Sequence, residues 1–479
     1  MRQVPMATIV VLGMLPGTGY GVVKFAKVNG AGDCSSWANA CSLTSALQRA
    51  RSGDEIWVQA GTYVGNFGVG RRLIGGFAGF ETSAAQSNPR ANPTILDGGH
   101  TQTVLYVGGA AYIRGFTIAN GDHTSGFDDG GGGVAMFDGS VTFVDCIFEH
   151  NLGDYFGAAV YVEQGLAKFI NCIFRENGTD NGTTTCSPAP CSPIADDRPL
   201  GAAGVFGKYA GLQFTNCLFV GNVAVTATAI AVQWGAVNIV NCTFYGNRET
   251  YSETNELIVA DSRYLSIYSS IIRHDPMARD GAFAIPGCAR ATIAHSDIED
   301  GWCSGPGLIG ADPLFSSAAN RQYDLRISSP CVNTGSNAFL PTDIGDLDWD
   351  GVTQEPIPFD LAGNPRVACG VVDMGAYEFV VDAAADCNQN QIPDKCEVAD
   401  GTSPDCNGND VPDSCDLATI GDCNRNGIPD NCESLGWVRV CCMPDDSCEQ
   451  LTQCACTAQG GTWVSATKFC ANANCGGAY

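Results

Sequence analysis

Positive charge is what this 479-residue chain has least of: 25 Lys and Arg stand against 51 Asp and Glu, a formal net charge of −26. Nucleic acid and anionic membrane surfaces are bound through basic patches, so a chain this acidic excludes them as expected partners. It suits a solvated extracellular surface, or a chain that binds cations. Long apolar runs are also missing: beyond the N-terminal residues, no stretch is apolar enough for long enough to span a bilayer. Charged residues of either sign make up only 16% of the chain, whereas glycine is abundant, at 59 residues. That balance fits many short strands joined by tight turns.

Cysteine is plentiful and unevenly placed. Of 25, thirteen follow Asp386, too many and too clustered for an ordinary cytosolic protein. The chain opens with Arg2, an apolar run from Ala7 to Leu15, Pro16 and small residues to Gly21. Residues 1–21 therefore read as a secretory signal without a clean A-x-A site, although a buried first strand would look similar. With the cysteines, an exported, extracellular or cell-surface protein is expected.

Four stretches repeat one pattern: VTFVDCIFEHN from Val141, AKFINCIFREN from Ala167, LQFTNCLFVGN from Leu212 and VNIVNCTFYGN from Val237. Cys146 and Cys172 are 26 residues apart and Cys217 and Cys242 are 25 apart, a period in the solenoid range. Weaker copies place Gly115 and Ser270 at the Cys position. Stacking coils about 4.8 Å apart put like residue on like. Phe143, Phe169, Phe214 and Ile239 then form one inward ladder, and Phe148, Phe174, Phe219 and Phe244 another. Asn151, Asn177, Asn222 and Asn247 fall at a turn, where Asn tolerates the left-handed conformation and amides can bond along the stack. The four Cys read as small buried hydrophobes, because stacked parallel positions rarely meet disulfide geometry and no partner ligands accompany them. The long interval from Cys172 to Cys217 holds an inserted loop, Gly178 to Pro199. Cys34–Cys41, Cys186–Cys191, Cys288–Cys303 and Cys331–Cys369 are plausible local disulfides, with the connectivity open.

Upstream, Leu43, Ala46, Leu47 and Ala50 recur at helical spacing, predicting a short helix over Ser42 to Arg51 that covers the open end of the stack. SSWANA, GDEIWVQAGTY and GGFAGFET resemble the opening of bacterial pectin-lyase-like proteins. DPLF, YDLRISSPCVNTGS, FDLAGNPRV and VVDMGAYEF resemble the ending of the choice-of-anchor Q group of such proteins. The resemblance covers roughly Val23 to Phe379 and implies a fold and an extracellular setting, but no reaction. The expected fold is all-β: a single-stranded right-handed parallel β-helix, residues 22–380, with an N-terminal helical cap. Small calcium-loop modules (381–434) and a Cys-rich, disulfide-stapled module (435–479) follow.

The calcium reading comes from three cassettes, DCNQNQIPDKCE, DCNGNDVPDSCD and DCNRNGIPDNCE. Positions 1, 3, 5, 9 and 12 are Asp386, Asn388, Asn390, Asp394 and Glu397; Asp405, Asn407, Asn409, Asp413 and Asp416; and Asp422, Asn424, Asn426, Asp430 and Glu433. All are oxygen donors at the spacing of a Ca²⁺ loop, and the expected affinity is that of extracellular modules, roughly 10⁻⁴ to 10⁻³ M. The linkers are too short for flanking helices of normal length. The cassettes therefore resemble the helix-free repeats of the thrombospondin type 3 class, and also dockerin loops. Cys at positions 2 and 11 suggests staples within or between repeats. Asp346, Asp348 and Asp350 before Gly351 make a weaker fourth candidate whose closing carboxylate is missing unless Glu355 substitutes.

Enzymatic motifs are sparse. Of the polygalacturonase set only Asp128–Asp129 matches a fragment, and G-H-G and R-x-K are absent. Pectate-lyase chemistry needs a basic residue to take the proton α to a uronate carboxyl, and Lys168 and Lys208 are the only lysines in the coils. One outward column remains: Phe137, Glu163, Lys208, Gln233 and Asp261, with Tyr209 and Trp234 beside it. Acids and Lys208 could bind sugar hydroxyls and the aromatics stack on ring faces; an ordinary polar face with a Glu163–Lys208 pair is the plainer reading. Asp122, His123, Asp128 and Asp129 are a second cluster. The expected function is a scaffold that binds polysaccharide or a cell-surface partner, and the rival is a lyase or glycoside hydrolase using Glu163, Lys208 and Asp261.

Overall fold

The computed structural model describes residues 21–124, 130–153, 156–179, 202–224, 227–249, 257–260, 264–273, 291–299, 304–379 and, beyond 385, 386–388, 394–399, 401–409, 411–419 and shorter pieces to 475. The signal-like residues 1–20, the Cys186–Cys191 insertion, and Cys288 and Cys303 lie outside them. The described residues fall into two compact units.

In the first unit each coil contributes up to four short strands. One full turn is Val160–Glu163, Gly165–Ile170, Ile173–Arg175 and Gly178–Thr179. Each strand pairs in parallel with its counterpart in the next coil: Val160 with Val205, Phe169 with Phe214, Phe174 with Phe219, Gly178 with Val223. Among the described residues this builds sheets of ten, nine, seven and five strands. The fold is a parallel β-helix, as the repeat predicts.

Turning three corners in so few residues requires left-handed backbone. Gln164, Tyr209 and Trp234 hold the first corner, with φ of 55°, 53° and 56°. Asp145, Asn171, Asn216, Asn241, Ser269 and His295 hold the second. His150, Glu176, Gly221 and Gly246 hold the third. The expectation that the repeated Asn itself is left-handed is therefore corrected: the residue before it takes the positive φ. That turn sends the Asn carboxamide inward, where Asn151, Asn177, Asn222 and Asn247 are at most 1% exposed. Each amide binds the next, with Asn151 Nδ2 donating to Asn177 Oδ1 at 3.0 Å, Asn177 to Asn222 at 3.0 Å and Asn222 to Asn247 at 2.8 Å.

The core consists of the expected ladders. Phe148, Phe174, Phe219 and Phe244 stack at centroid spacings of 4.7, 4.5 and 4.6 Å, and Phe143, Phe169 and Phe214 at 5.3 and 5.0 Å. Full burial of each ring contributes about 1.5–3 kcal/mol, with about 0.5–1.5 kcal/mol more per aromatic pair. Cys146, Cys172, Cys217 and Cys242 are buried free thiols. Ser270 and Ser296 continue their column, accepting from Cys242 N and Ser270 N at 3.1 Å each. The thiols act as packing.

At the N-terminal end, helix Leu43–Arg49 begins on Ser42, whose hydroxyl accepts from Ser45 N. Leu43 and Ala46 are buried in the core, so the helix closes the stack as expected. A Cys34–Cys41 disulfide forms beside it, also as expected.

The first unit also includes Ser336–Gly363, a strap laid over the outer face of the ten-stranded sheet. Leu347 and Ile357 pack on Val144 and Ile170. Tyr112 donates its hydroxyl to Gly345 O at 3.2 Å, and the Arg114 guanidinium lies 4.7 Å from the Trp349 ring.

The second unit comprises Asp312–Gly335, Asn364–Asp373 and Glu378–Tyr479. Short helices Asp394–Ala399 and Asp413–Thr419 start at position 9 of the first two cassettes, so the expectation of helix-free repeats is corrected. Proline before each Asp suits a helix start. Cys387 pairs with Cys415 and Cys406 with Cys432, position 2 of one repeat to position 11 of the next. Cys369 pairs with Cys396, Cα atoms 5.3 Å apart, and not with Cys331. The regular Cys column of the cassettes thus extends to the closing motif and claims that thiol. Strands Arg439–Cys442, Cys448–Leu451 and Thr462–Val464 form an antiparallel sheet in the tail, which Cys441–Cys456 and Cys442–Cys475 staple.

Candidate functional site

The outward column is real, and its geometry is specific. Glu163, Lys208 and Gln233 are paired in register on successive strands. Lys208 Nζ lies 3.3 Å from Glu163 Oε1, and the Tyr161 hydroxyl donates to Glu163 Oε2 at 3.1 Å. Asp261 lies outside the described residues. One residue further on, at the left-handed corner, Tyr209 and Trp234 project outward. They are 53% and 52% exposed, and their rings stack at 4.9 Å and 20°. Bulky side chains rarely adopt positive φ. Here the conformation swings both rings off the sheet and presents an aromatic surface to solvent beside the Glu163–Lys208 ion pair. The sequence placed these residues side by side, but only the corner geometry makes them a ledge.

As an acid–base pair the same residues are poorly disposed. Lys208 Nζ and Glu163 Oε1 face one another at 3.3 Å, so neither group stands alone as a base.

The second candidate cluster is less informative. Asp122 Oδ1 accepts from Thr124 N and Oγ1 at 2.8 and 2.7 Å, and His123 Nδ1 contacts Thr103 Oγ1 at 3.1 Å. Asp128 and Asp129 lie outside the described residues. A cavity of about 370 Å³ opens where the strap meets the second corner, lined by Arg114, Asp145, Asn171, Phe116, Ile173 and Phe359 among others. Two of its three charged residues are paired, Arg114 Nε lying 2.9 Å from Asp145 Oδ2, and the third is Arg90.

In the second cassette three of the expected ligands, Asn407, Asn409 and Asp416, come together. Asp405 Oδ1 accepts from Gly408 N at 2.8 Å, and Asn407 and Asn409 turn their amides onto the Asp416 carboxylate, at 2.7 and 2.9 Å. Asp416 is 2% exposed. Turning an Asn amide by half a rotation exchanges its nitrogen for oxygen, so the donor set fits a hard cation. Asp413 at position 9 instead caps the loop, accepting from Cys406 N at 2.9 Å. The first cassette repeats the pattern: Asp394 accepts from Cys387 N at 2.9 Å, and Asn388 donates to Glu397 at 2.8 Å. The cysteines beside Asp394 and Asp413 are disulfide-bonded, and so offer no thiolate to a metal. In the third cassette Asp422 Oδ2 accepts from Gly427 N at 2.8 Å. Asn390, Asn424, Asn426, Asp430 and Glu433 lie outside the described residues.

The closing motif carries charge for structural reasons. Arg366 Nη2 donates to Glu378 Oε2 at 2.9 Å, and both are essentially buried. Burial pushes the Glu378 carboxyl up to about 8, with Arg366 opposing the shift and Asp373 adding to it.

Fold and corner geometry together define the chain as a parallel β-helix protein with an exposed aromatic ledge. Among solved structures it is similar to pectate lyase Pel9A, at 13% identity and a TM-score of 0.35, over 75% of this chain and 96% of that one. A likeness that distant carries no argument about activity. No family model matches the sequence, and no curated protein does.

Proposed function

We propose that the protein is an exported or cell-surface scaffold whose β-helix binds glycan, with Ca²⁺ bound by the C-terminal repeats. The observation that carries the glycan reading is the stacked, exposed Tyr209–Trp234 pair. Apolar ring faces of sugars stack on such a surface, and the adjacent Glu163, Lys208 and Gln233 offer donors and acceptors to hydroxyls. The six described disulfides favour an oxidising compartment. Among the described residues no helix is long and apolar enough to cross a membrane.

Affinity electrophoresis against a panel of soluble polysaccharides tests the ledge. Retardation by at least one polymer is expected, with Tyr209→Ala/Trp234→Ala abolishing it. Retardation that survives the double variant would locate binding elsewhere. The Ca²⁺ reading rests on the ligand spacing of the cassettes and on the meeting of Asn407, Asn409 and Asp416 in the second. Calorimetry of the full chain should show binding in the range of about 10⁻⁴ to 10⁻³ M, weakened by Asp405→Asn/Asp416→Asn.

A further inference from the structure

The strap carries the Asp346–Asp348–Asp350 candidate of the sequence, and the fold adds to it a carboxylate that the spacing did not point to, Asp343. Asp343, Asp348 and Glu355 bring one oxygen each to within 4.8 Å of one another, and Asp348 shares a second such group with Asp346 and Asp350. Acidic groups gathered at a surface need no ion, but two of these are not at a surface. Asp343 is fully buried, and its Oδ1 has no hydrogen-bond partner. Both Glu355 carboxylate oxygens are also buried without a partner. Asp343 Oδ2 accepts from Leu347 N at 2.7 Å. The charged groups gathered with Asp343, those of Asp348 and Glu355, are both negative. Leaving several buried acceptors of one sign unsatisfied costs far more than surface crowding does.

We propose that Asp343, Asp348 and Glu355 bind a hard divalent cation, Ca²⁺, with Asp346 and Asp350 on its solvent side. All donors are carboxylate oxygens, which selects Ca²⁺ over thiolate- or imidazole-seeking metals, and the irregular loop suits its tolerant coordination better than the strict octahedron of Mg²⁺. Gly351, at φ 84°, supplies the sharp turn after Asp350. The ion ties together the two ends of the loop, which already meet where Asp343 N donates to Glu355 O at 2.9 Å. Between those ends lie Gly345, Leu347 and Trp349, the residues that dock the strap on Tyr112, Val144 and Arg114. The cation thus fixes the strap against the β-helix.

Trp349, between Asp348 and Asp350, is a built-in reporter. Tb³⁺ substituted for Ca²⁺ on the full chain should luminesce on tryptophan excitation. Asp343→Asn/Glu355→Gln should remove that emission together with one equivalent of bound Ca²⁺. Asp405→Asn/Asp416→Asn in the cassette should leave the strap signal intact, so the two sites fail or hold separately. Trp349→Phe keeps every carboxylate; it should lose emission while retaining the Ca²⁺ equivalent, and it decides the case if the carboxylate variant fails to fold. Emission unchanged by Trp349→Phe, or an unchanged Ca²⁺ count in a folded Asp343→Asn/Glu355→Gln variant, overturns the proposal.

Discussion

Replacing Asn177 by Ala tests whether the buried amide ladder holds the coils in register. Asn177 Oδ1 accepts from Asn151 N at 3.2 Å and from Asn151 Nδ2 at 3.0 Å. Its Nδ2 donates to Phe148 O at 2.9 Å and to Asn222 Oδ1 at 3.0 Å. Alanine deprives two backbone groups, Asn151 N–H and Phe148 C=O, of these partners in a dry interior. At about 1–3 kcal/mol for each unsatisfied group, the loss is about 2–6 kcal/mol. The Asn177 N–H still reaches Asn222 Oδ1 at 3.1 Å, so the coil keeps its backbone anchor and the loss stays below that of a broken fold. Asn177→Asp separates the two halves of the amide. It preserves the acceptor but removes the donor, and it sets a carboxylate against Asn222 Oδ1, so it should cost at least as much at neutral pH. Acidification should recover part of that loss as the carboxyl protonates and donates again. Urea denaturation of the oxidised full chain, with Gln213→Ala at an exposed strand position as a control, measures both. An Asn177→Ala loss under about 0.5 kcal/mol, equal to an ordinary surface change, would refute the claim that the ladder is a principal restraint.

Other expectations follow from burial. Glu378 has a folded pKa of about 8 against an ordinary 4.5, so the folded state binds its proton more tightly than the unfolded chain. The stability linked to that proton is present below pH 4.5 and is lost as pH rises toward 8. Melting temperature should therefore fall across that interval in the wild type, and Glu378→Gln should flatten the slope; an identical slope in the variant would refute the assignment. Cys146, Cys172, Cys217 and Cys242 are wholly buried. They should resist a thiol reagent in the native protein and react once it is unfolded; rapid native labelling of any of them, located by peptide mapping, would contradict the ladder.

Much of the fold was legible because its defining feature is local and periodic. A 25- or 26-residue repeat fixes which residues stack, and the Phe, Cys and Asn columns followed from it. The left-handed residue was misassigned by one position, since the motif marks a turn without marking which residue bends. A further polar column lies at the residue before each Cys, where Asn171 Nδ2 donates to Asp145 Oδ1 at 3.4 Å and Asn216 Nδ2 to Asn171 Oδ1 at 3.0 Å. What the period cannot encode is long-range docking. Tyr112 meets Gly345 across 233 positions, and nothing near either residue announces it. The strap and the burial of Asp343 depend on such contacts, whereas the pairing of Cys369 with Cys396, 27 residues apart, continues the spacing of the cassettes. Likewise Tyr209 and Trp234 read as neighbours of a polar column, whereas the backbone corner is what exposes them together.

The central claim is that the outer ledge binds glycan without transforming it. Its most direct test incubates the wild type, Tyr209→Ala/Trp234→Ala, Lys208→Ala and Glu163→Ala with neutral and uronate polysaccharides, with Ca²⁺ present. Polymer binding, unsaturated-product absorbance and reducing ends are followed in the same samples. Binding that the aromatic double variant loses, with neither product formed by any protein, is the predicted result. Product formed by the wild type and abolished by Lys208→Ala or Glu163→Ala would contradict it and make the column an active site.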